Sequence, residues 1–247
     1  MKKGTNSNNK CSQILIEKIK HMKKIITIIV FIIITYNSFA QLSIEANYGI
    51  GSYSLNDLRD MNAEILKNLP VQGKITDDFP MQPFYGIGIF YQTTDIISLG
   101  VTGYYNTTGS RISYKDYSGE LKADNILTSW SPGIAVRFKL MDKRLNLYEE
   151  TRISCAFSKL EMNEKVISYT DEMTFKSAGL QIEPKFKLTY DLSNMEFGIN
   201  AGYLIDSGGK NRLVGDRDAI LQFNNSKDPV KTNWSGVRLS ASVSYLF

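Results

Sequence analysis

The last fourteen residues, Trp234 to Phe247, constrain the fold most. Val237, Leu239, Ala241, Val243, Tyr245 and Phe247 are apolar and alternate with Gly236, Arg238, Ser240, Ser242, Ser244 and Leu246. A β-strand points successive side chains to opposite faces, so this period of two gives one greasy face and one mostly wet face. The pattern ends on an aromatic residue at the end of the sequence. The same alternation recurs upstream in seven further stretches: 42–52, 84–93, 97–106, 127–140, 145–159, 175–190 and 195–205. Eight strands of about ten to sixteen residues are expected, against the roughly 9–11 that a tilted membrane strand needs.

The connections alternate in length. Long ones are expected near 53–83, 107–126, 160–174 and 206–233, and short ones near 94–96, 141–144 and 191–194. Both ends of the barrel chain then fall on the short-turn side. This is the pattern of an all-β, eight-stranded antiparallel up-and-down transmembrane barrel with short periplasmic turns and long extracellular loops.

A soluble barrel of eight strands would reverse the faces. The positions opposite the apolar stripes carry Glu45, Arg137, Lys139, Glu150, Arg152, Glu183, Lys185, Lys187, Glu196 and Arg238. If those faced outward, Tyr, Phe, Trp and Ile from every strand would have to fit inside. An eight-stranded barrel holds only a filling of side chains or one small ligand. Large residues outside and small or charged ones inside fit the volume better. Two residues disturb the register: Glu149 falls on the lipid stripe, where a bulge or a headgroup-level position would accommodate it. Pro184 shares that face and is expected at a bulge.

The first forty residues read as an export signal. Lys23 and Lys24 precede the apolar run Ile25 to Ile34, and Ser38 and Ala40 are the small residues before a cleavage site at Gln41. The run of about ten residues is short of the roughly 20 of a membrane helix. Residues 1–21 lie upstream of such a signal, which makes Met22 a candidate start. The domain expectation is 1–40 as extension and cleaved signal, and 41–247 as barrel.

Of the chain's 29 basic and 25 acidic residues, the first forty hold seven Lys and one Glu, which leaves 22 and 24. The excess of basic charge therefore belongs to the signal and gives no argument for nucleic acid. Cys11 and His21 fall in the same segment, which leaves Cys155 as the remaining thiol and no His. Neither a disulfide nor an ordinary zinc site is expected, and no cofactor motif is present.

These features resemble the small eight-stranded outer-membrane barrels of Gram-negative bacteria, of the OmpA transmembrane domain, OmpX and OmpW types. The ending Val243, Tyr245 and Phe247 is similar to the signal read by the barrel-assembly machinery. Gln41 after an Ile-rich signal looks like the outer membrane β-barrel proteins of the Bacteroidota. The resemblance implies a monomer in the outer membrane, in contact with its lipid and lipopolysaccharide. Enzymes of this fold rely on a catalytic His, so its absence after residue 40 argues against catalysis.

The densest candidate site is the lumen charge network of Glu45, Arg137, Glu150, Arg152, Glu183, Lys185, Lys187, Glu196 and Arg238, with Lys139 nearer the turn. Near balance of sign favours a packed structural network, since an unpaired buried ion is costly. The expected function is a non-enzymatic structural or surface-interaction barrel acting through its outer loops. The alternative is a narrow porin or transporter of small solutes, hydrophobic ones included, suggested by the small Gly and Ser lining of the second, third and seventh strands.

In the first loop, Leu55, Leu58, Met61, Ile65, Leu66 and Leu69 predict an amphipathic helix, with Ser54 or Asn56 as cap and Pro70 as stop. It is expected to pack on the extracellular rim, with a membrane-surface helix or a lid as alternatives. Asp171, Asp206, Asp216, Asp218 and Asp228 are expected as solvated turn residues, with a divalent cation, or lipopolysaccharide phosphates bridged by one, as the functional alternative.

Overall fold

A computed structural model describes residues 42–68, 73–116, 119–166, 169–216 and 218–247. The export-signal segment, Gln41 and the helix stop at Pro70 lie outside them. In chain order the elements are β1 (Leu42–Gly51), α1 (Asn56–Asn68), β2 (Lys74–Asp78), β3 (Gln82–Gln92), β4 (Ile97–Asp116), β5 (Gly119–Met141) and β6 (Asn146–Val166). Then follow β7 (Tyr169–Leu192), β8 (Met195–Asp206), β9 (Gly209–Lys210), β10 (Arg212–Leu213), β11 (Lys231–Thr232) and β12 (Gly236–Leu246).

Eight of these strands close a ring. The order is β1, β3, β4, β5, β6, β7, β8, β12, and β12 returns to β1 with Ser43 opposite Leu246 and Gly51 opposite Arg238. Every pairing is antiparallel. One cross-strand row leads from Gly51 through Arg238, Gly202, Lys185, Glu150, Arg137 and Ser98 to Gln92. Tyr91, next to Gln92, pairs with Leu42, so the row comes back to β1 displaced by about ten residues from Gly51, where it left. A stagger of this size in eight strands corresponds to a strand tilt of about 40°.

The alternation is realised on every barrel strand. The apolar set points outward and is open to the surroundings: Ile199 is 70% exposed, Ile87 63% and Ile134 60%. A belt of this extent on water would be an association surface, whereas in hydrocarbon it is the resting state. Five outward aromatics, Tyr48, Tyr85, Tyr105, Trp130 and Phe157, are each the direct partner of the next across β1, β3, β4, β5 and β6. The Trp130 ring also covers Gly103, where an added Cβ would meet it at 2.5 Å.

The turns on one side are short, at 93–96, 142–145 and 193–194. On the other side the structure corrects two of the expected loops. The stretch 107–126 continues β4 and β5 as a paired ladder as far as Asp116 opposite Gly119, and 160–174 continues β6 and β7 to Val166 opposite Tyr169. These ladders carry Thr, Ser, Lys, Asp and Glu, so they lack the apolar stripe that marks the same strands within the belt. Asp171 accordingly pairs with Glu164 in a hairpin rather than sitting in a loop.

Neither disturbing residue marks a bulge. The register runs unbroken through Glu149, which pairs with Phe138 and Phe186 and accepts a hydrogen bond of 2.7 Å from the Thr151 hydroxyl. The shift in that hairpin lies between Lys139 and Met141. Pro184 interrupts the β7–β8 ladder, yet Ile182–Ile205 and Lys185–Gly202 on either side keep one register. Proline removes a donor without inserting a residue.

Candidate functional site

The nine lumen charges are all buried, at 0–5% exposure, and are joined across the ring. At the short-turn end the Lys187 ammonium reaches Glu45 at 2.5 Å and Glu196 at 2.6 Å. The Arg137 guanidinium joins Glu45 at 2.9 Å to Glu150 at 2.7 Å. Asn47 and the Ser244 hydroxyl also donate to Glu45, at 2.8 and 3.1 Å. Further along, Lys185 lies 2.9 Å from Glu150 and donates to the Tyr104 hydroxyl at 3.0 Å. Arg152 donates from Nε and Nη2 to Glu183, at 3.0 and 2.5 Å. Arg238 is the most loosely paired, 3.9 Å from Glu183, and donates to the Asn106 side-chain oxygen Oδ1 at 2.9 Å. Lys139 sits apart near the turn and pairs with Asp142 at 3.1 Å.

Three aromatic residues inside the barrel were missed by the alternation. Phe90 lies 3.8 Å under the Arg137 guanidinium, Tyr104 lies 4.2 Å under Arg152, and Phe84 lies 4.7 Å under Arg238. A cation over a ring face gains about 0.5–2 kcal/mol depending on desolvation. The signal for them is in the glycines. A Cβ on Gly86 would lie 2.4 Å from the Tyr104 ring, one on Gly100 would lie 2.4 Å from Phe90, and one on Gly49 would lie 2.7 Å from Phe84. Glycine at these inward positions makes room for a ring from the next strand, so the small lining marks filled space.

A tenth lumen charge completes the set. Asp206, expected as a turn residue, ends β8 facing inward and is 5% exposed. Its carboxylate accepts from the Gln181 amide at 3.0 Å and from the backbone N–H groups of Gly208 at 2.8 Å and Trp234 at 3.1 Å. With it the interior holds five cations and five anions.

Beyond Asp206 the chemistry changes. Leu127, Leu160, Phe175 and Leu204 point inward from the strands and meet Tyr53, Leu55, Leu58, Phe79 and Trp234 from the connections in one buried apolar cluster. Trp234 is fully buried, donates from its indole N–H to Ser158 at 2.9 Å and meets the Tyr53 ring edge-on at 4.9 Å. The helix α1 contributes Leu58 and Met61 to this cluster and buries Asn62, whose side-chain oxygen accepts from Asn125 at 2.9 Å. It therefore covers the barrel mouth instead of lying on the rim.

Neither Ser54 nor Asn56 holds the N-cap position. The Leu55 carbonyl accepts from both Leu58 and Arg59 at 3.0 Å, and Leu55 takes a positive φ of 43°. Burying the Leu55 side chain in the cluster accompanies this unusual conformation. Arg59 then ties the cap together. It donates to the carbonyls of Tyr53 at 3.3 Å, Ser54 at 3.1 Å and Phe79 at 2.9 Å, and pairs with Asp78 at 3.4 Å.

At the short-turn end a polar pocket of about 40 Å³ is lined by Arg137, Tyr148, Glu196 and Ser244. That is room for water and little else. Among the described residues no group of three or more His, Cys, Asp or Glu is placed to hold a metal ion. Asp216 and Ser226 accept local bonds from the N–H groups of Asp218 and Asp228, at 3.0 and 3.2 Å. Val243 and Tyr245 face outward on β12. The Phe247 ring meets Tyr245 edge-on at 4.9 Å, and its N–H donates to the Leu42 carbonyl at 2.9 Å.

No protein-family model and no curated protein matches this chain. Among solved structures it is similar to the outer membrane protein OprG from Pseudomonas aeruginosa. The identity is 15% over 84% of this chain and 96% of that one, with a TM-score of 0.49. A major outer membrane protein from Thermus thermophilus is 11% identical over 85% and 100% of the two chains, with a TM-score of 0.48. Ail of Yersinia pestis, solved with the heparin analogue sucrose octasulfate, is 12% identical over 84% and 99%, with a TM-score of 0.40. By its own geometry the chain is a transmembrane β-barrel of the outer-membrane type: closed, even-stranded, apolar outside and polar within.

Proposed function

We propose that this chain is a non-enzymatic integral barrel of a Gram-negative outer membrane, exported by its amino-terminal signal. Its role is structural or surface-interacting and is exerted through the outer hairpins and connections. The observation that carries this reading is the double filling of the interior. Ten charges of balanced sign and the rings of Phe84, Phe90, Tyr104 and Tyr148 occupy the strand-lined section, and an apolar cluster roofed by α1 occupies the mouth. A barrel filled in this way offers no continuous water path, and this counts against the narrow-porin alternative.

Single-channel recording of the full chain in a planar bilayer tests the reading, after a boiled-versus-unboiled gel has shown a folded barrel. A folded, electrically silent protein is expected. Reproducible unitary conductance steps would overturn the sealed interior and favour passage of small hydrophilic solutes.

A further inference from the structure

Just beyond the lipid-facing belt, the outer wall carries like charges placed directly opposite one another. Lys159 on β6 is the cross-strand partner of Lys176 on β7, and Lys176 is in turn the partner of Arg212 on β10. Beside them, Lys210 on β9 is the partner of Lys231 on β11. Direct partners on antiparallel strands point to the same face, and like charges so placed destabilise a sheet. Lys159 holds Glu161 at 2.6 Å. Lys176, Lys210 and Lys231 form no ion pair among the described residues.

Lys176, Lys210 and Arg212 line one side of an outer groove of about 740 Å³. Phe157, Ala178, Leu213 and Val214 supply its apolar surface. Phe157 is the last aromatic of the outward row and the direct partner of Ala178, and Leu180 beyond it on β7 is 52% exposed to the lipid side. Lys159 and Lys176 are each two residues further out along tilted strands, which amounts to roughly 5 Å along the barrel axis. The groove thus runs from hydrocarbon depth to headgroup depth, and its cations sit where an acyl chain gives way to phosphate.

We infer that this groove binds a phosphate-bearing lipid of the outer leaflet. The phosphate bridges Lys176, Lys210 and Arg212, and an acyl chain lies along Phe157 and Ala178. The inference rests on the membrane reading above and adds a ligand to it. Bound phosphate supplies a counter-charge that Lys176 and Lys210 do not find among the described residues, so occupancy should stabilise the fold by mass action.

The test uses the full chain in phosphatidylcholine vesicles, with and without a minor fraction of lipid A. The thermal midpoint is read from the heat-modifiable gel band. Lipid A should raise the midpoint, while its phosphate-free derivative and inorganic phosphate should not. The Lys176→Gln/Lys210→Gln/Arg212→Gln variant should lose the shift, and Lys143→Gln/Arg144→Gln at the opposite turn should keep it. Lys176→Gln alone, read in pure phosphatidylcholine, should raise the midpoint because repulsion by Lys159 directly opposite is relieved. An equal shift with phosphate-free lipid, with inorganic phosphate or in the triple variant would overturn the site, as would a Lys176→Gln midpoint at or below wild type. Failure of the membrane reading is distinct, since no heat-modifiable band would then form in any vesicle.

Discussion

The barrel interior is filled twice, by opposite means. In the strand-lined section, charge meets charge: Arg137, Arg152, Lys185 and Lys187 are paired with carboxylates on other strands, and the rings of Phe90 and Tyr104 lie beneath the guanidiniums. At the mouth, Trp234, Leu58, Leu55 and Phe79 come from the connections and pack as a small soluble core would. The difference follows from what each face can reach. Within the belt the outward positions are committed to lipid, so polarity must go inward and be neutralised there. Above the belt, loops are available to cover the opening, and burying apolar surface against water is favourable.

Breaking the first region should cost most. Arg152→Ala leaves Glu183 buried with only Arg238 at 3.9 Å, so a loss of about 3–5 kcal/mol is expected in urea unfolding from vesicles. The double replacement Arg152→Met/Glu183→Leu should recover part of that loss, since a buried pair contributes little over well-packed apolar residues, and the remainder persists because Arg238 then loses its carboxylate. If the single variant unfolds like wild type, the network is not structural.

Breaking the second region should cost somewhat less and act locally. Trp234→Ala empties a large buried site, worth about 3 kcal/mol. Hydrogen exchange should rise in 53–66 and 230–236 while the strand ladders of β5 and β6 stay protected. Uniform loss of protection would show that the mouth and the charged section unfold as one unit.

The smallest effect sharpens the contrast with pairs left in solvent. Above the belt, Asp124 receives Arg111 at 2.6 Å and Lys122 at 3.0 Å. Partial burial raises its pKa, but the hydrogen bonds and charges of Arg111 and Lys122 outweigh this and hold it below the usual carboxylate range. A lowered folded pKa gives stability that is present above the unfolded value and lost as pH falls through the folded one. Asp124→Asn should therefore cost about 0.5 kcal/mol or less at neutral pH, and the difference from wild type should vanish in acid. A difference that persists once pH has fallen below the folded pKa of Asp124 would mean that something other than charge is involved.

The belt was legible because lipid imposes a period of two. Tyr85, Ile87, Ile89 and Tyr91 announce one face of β3 on their own. Beyond the lipid that requirement lapses. Thr107 to Ser110 are small or polar on both faces, and further out the sense reverses, with Arg111 outward and Ile112 buried inward, so the ladder there could not be read. The interior rings were hidden for a different reason. Phe84, Phe90 and Tyr104 break the rule of small lumen residues, and only their pairing with glycines on neighbouring strands accounts for them. Such pairing depends on register, which one sequence does not display. The apolar helix positions were visible, but whether they faced a rim or a mouth depended on inward Leu127 and Leu160, in ladders far along the chain.

The closing seam joins Ser43 to Leu246, and β12 is the partner of both β1 and β8. No prefix of this chain is a smaller version of the whole. Until the final eleven-residue strand arrives, the sheet has two open edges and its greasy outer face has no complete ring to belong to. Contacts between residues about two hundred positions apart form late and slowly. Removing β12 should therefore not shorten the barrel by one stave but leave an unsealed sheet, and the completed strand is the latch on which the other seven depend.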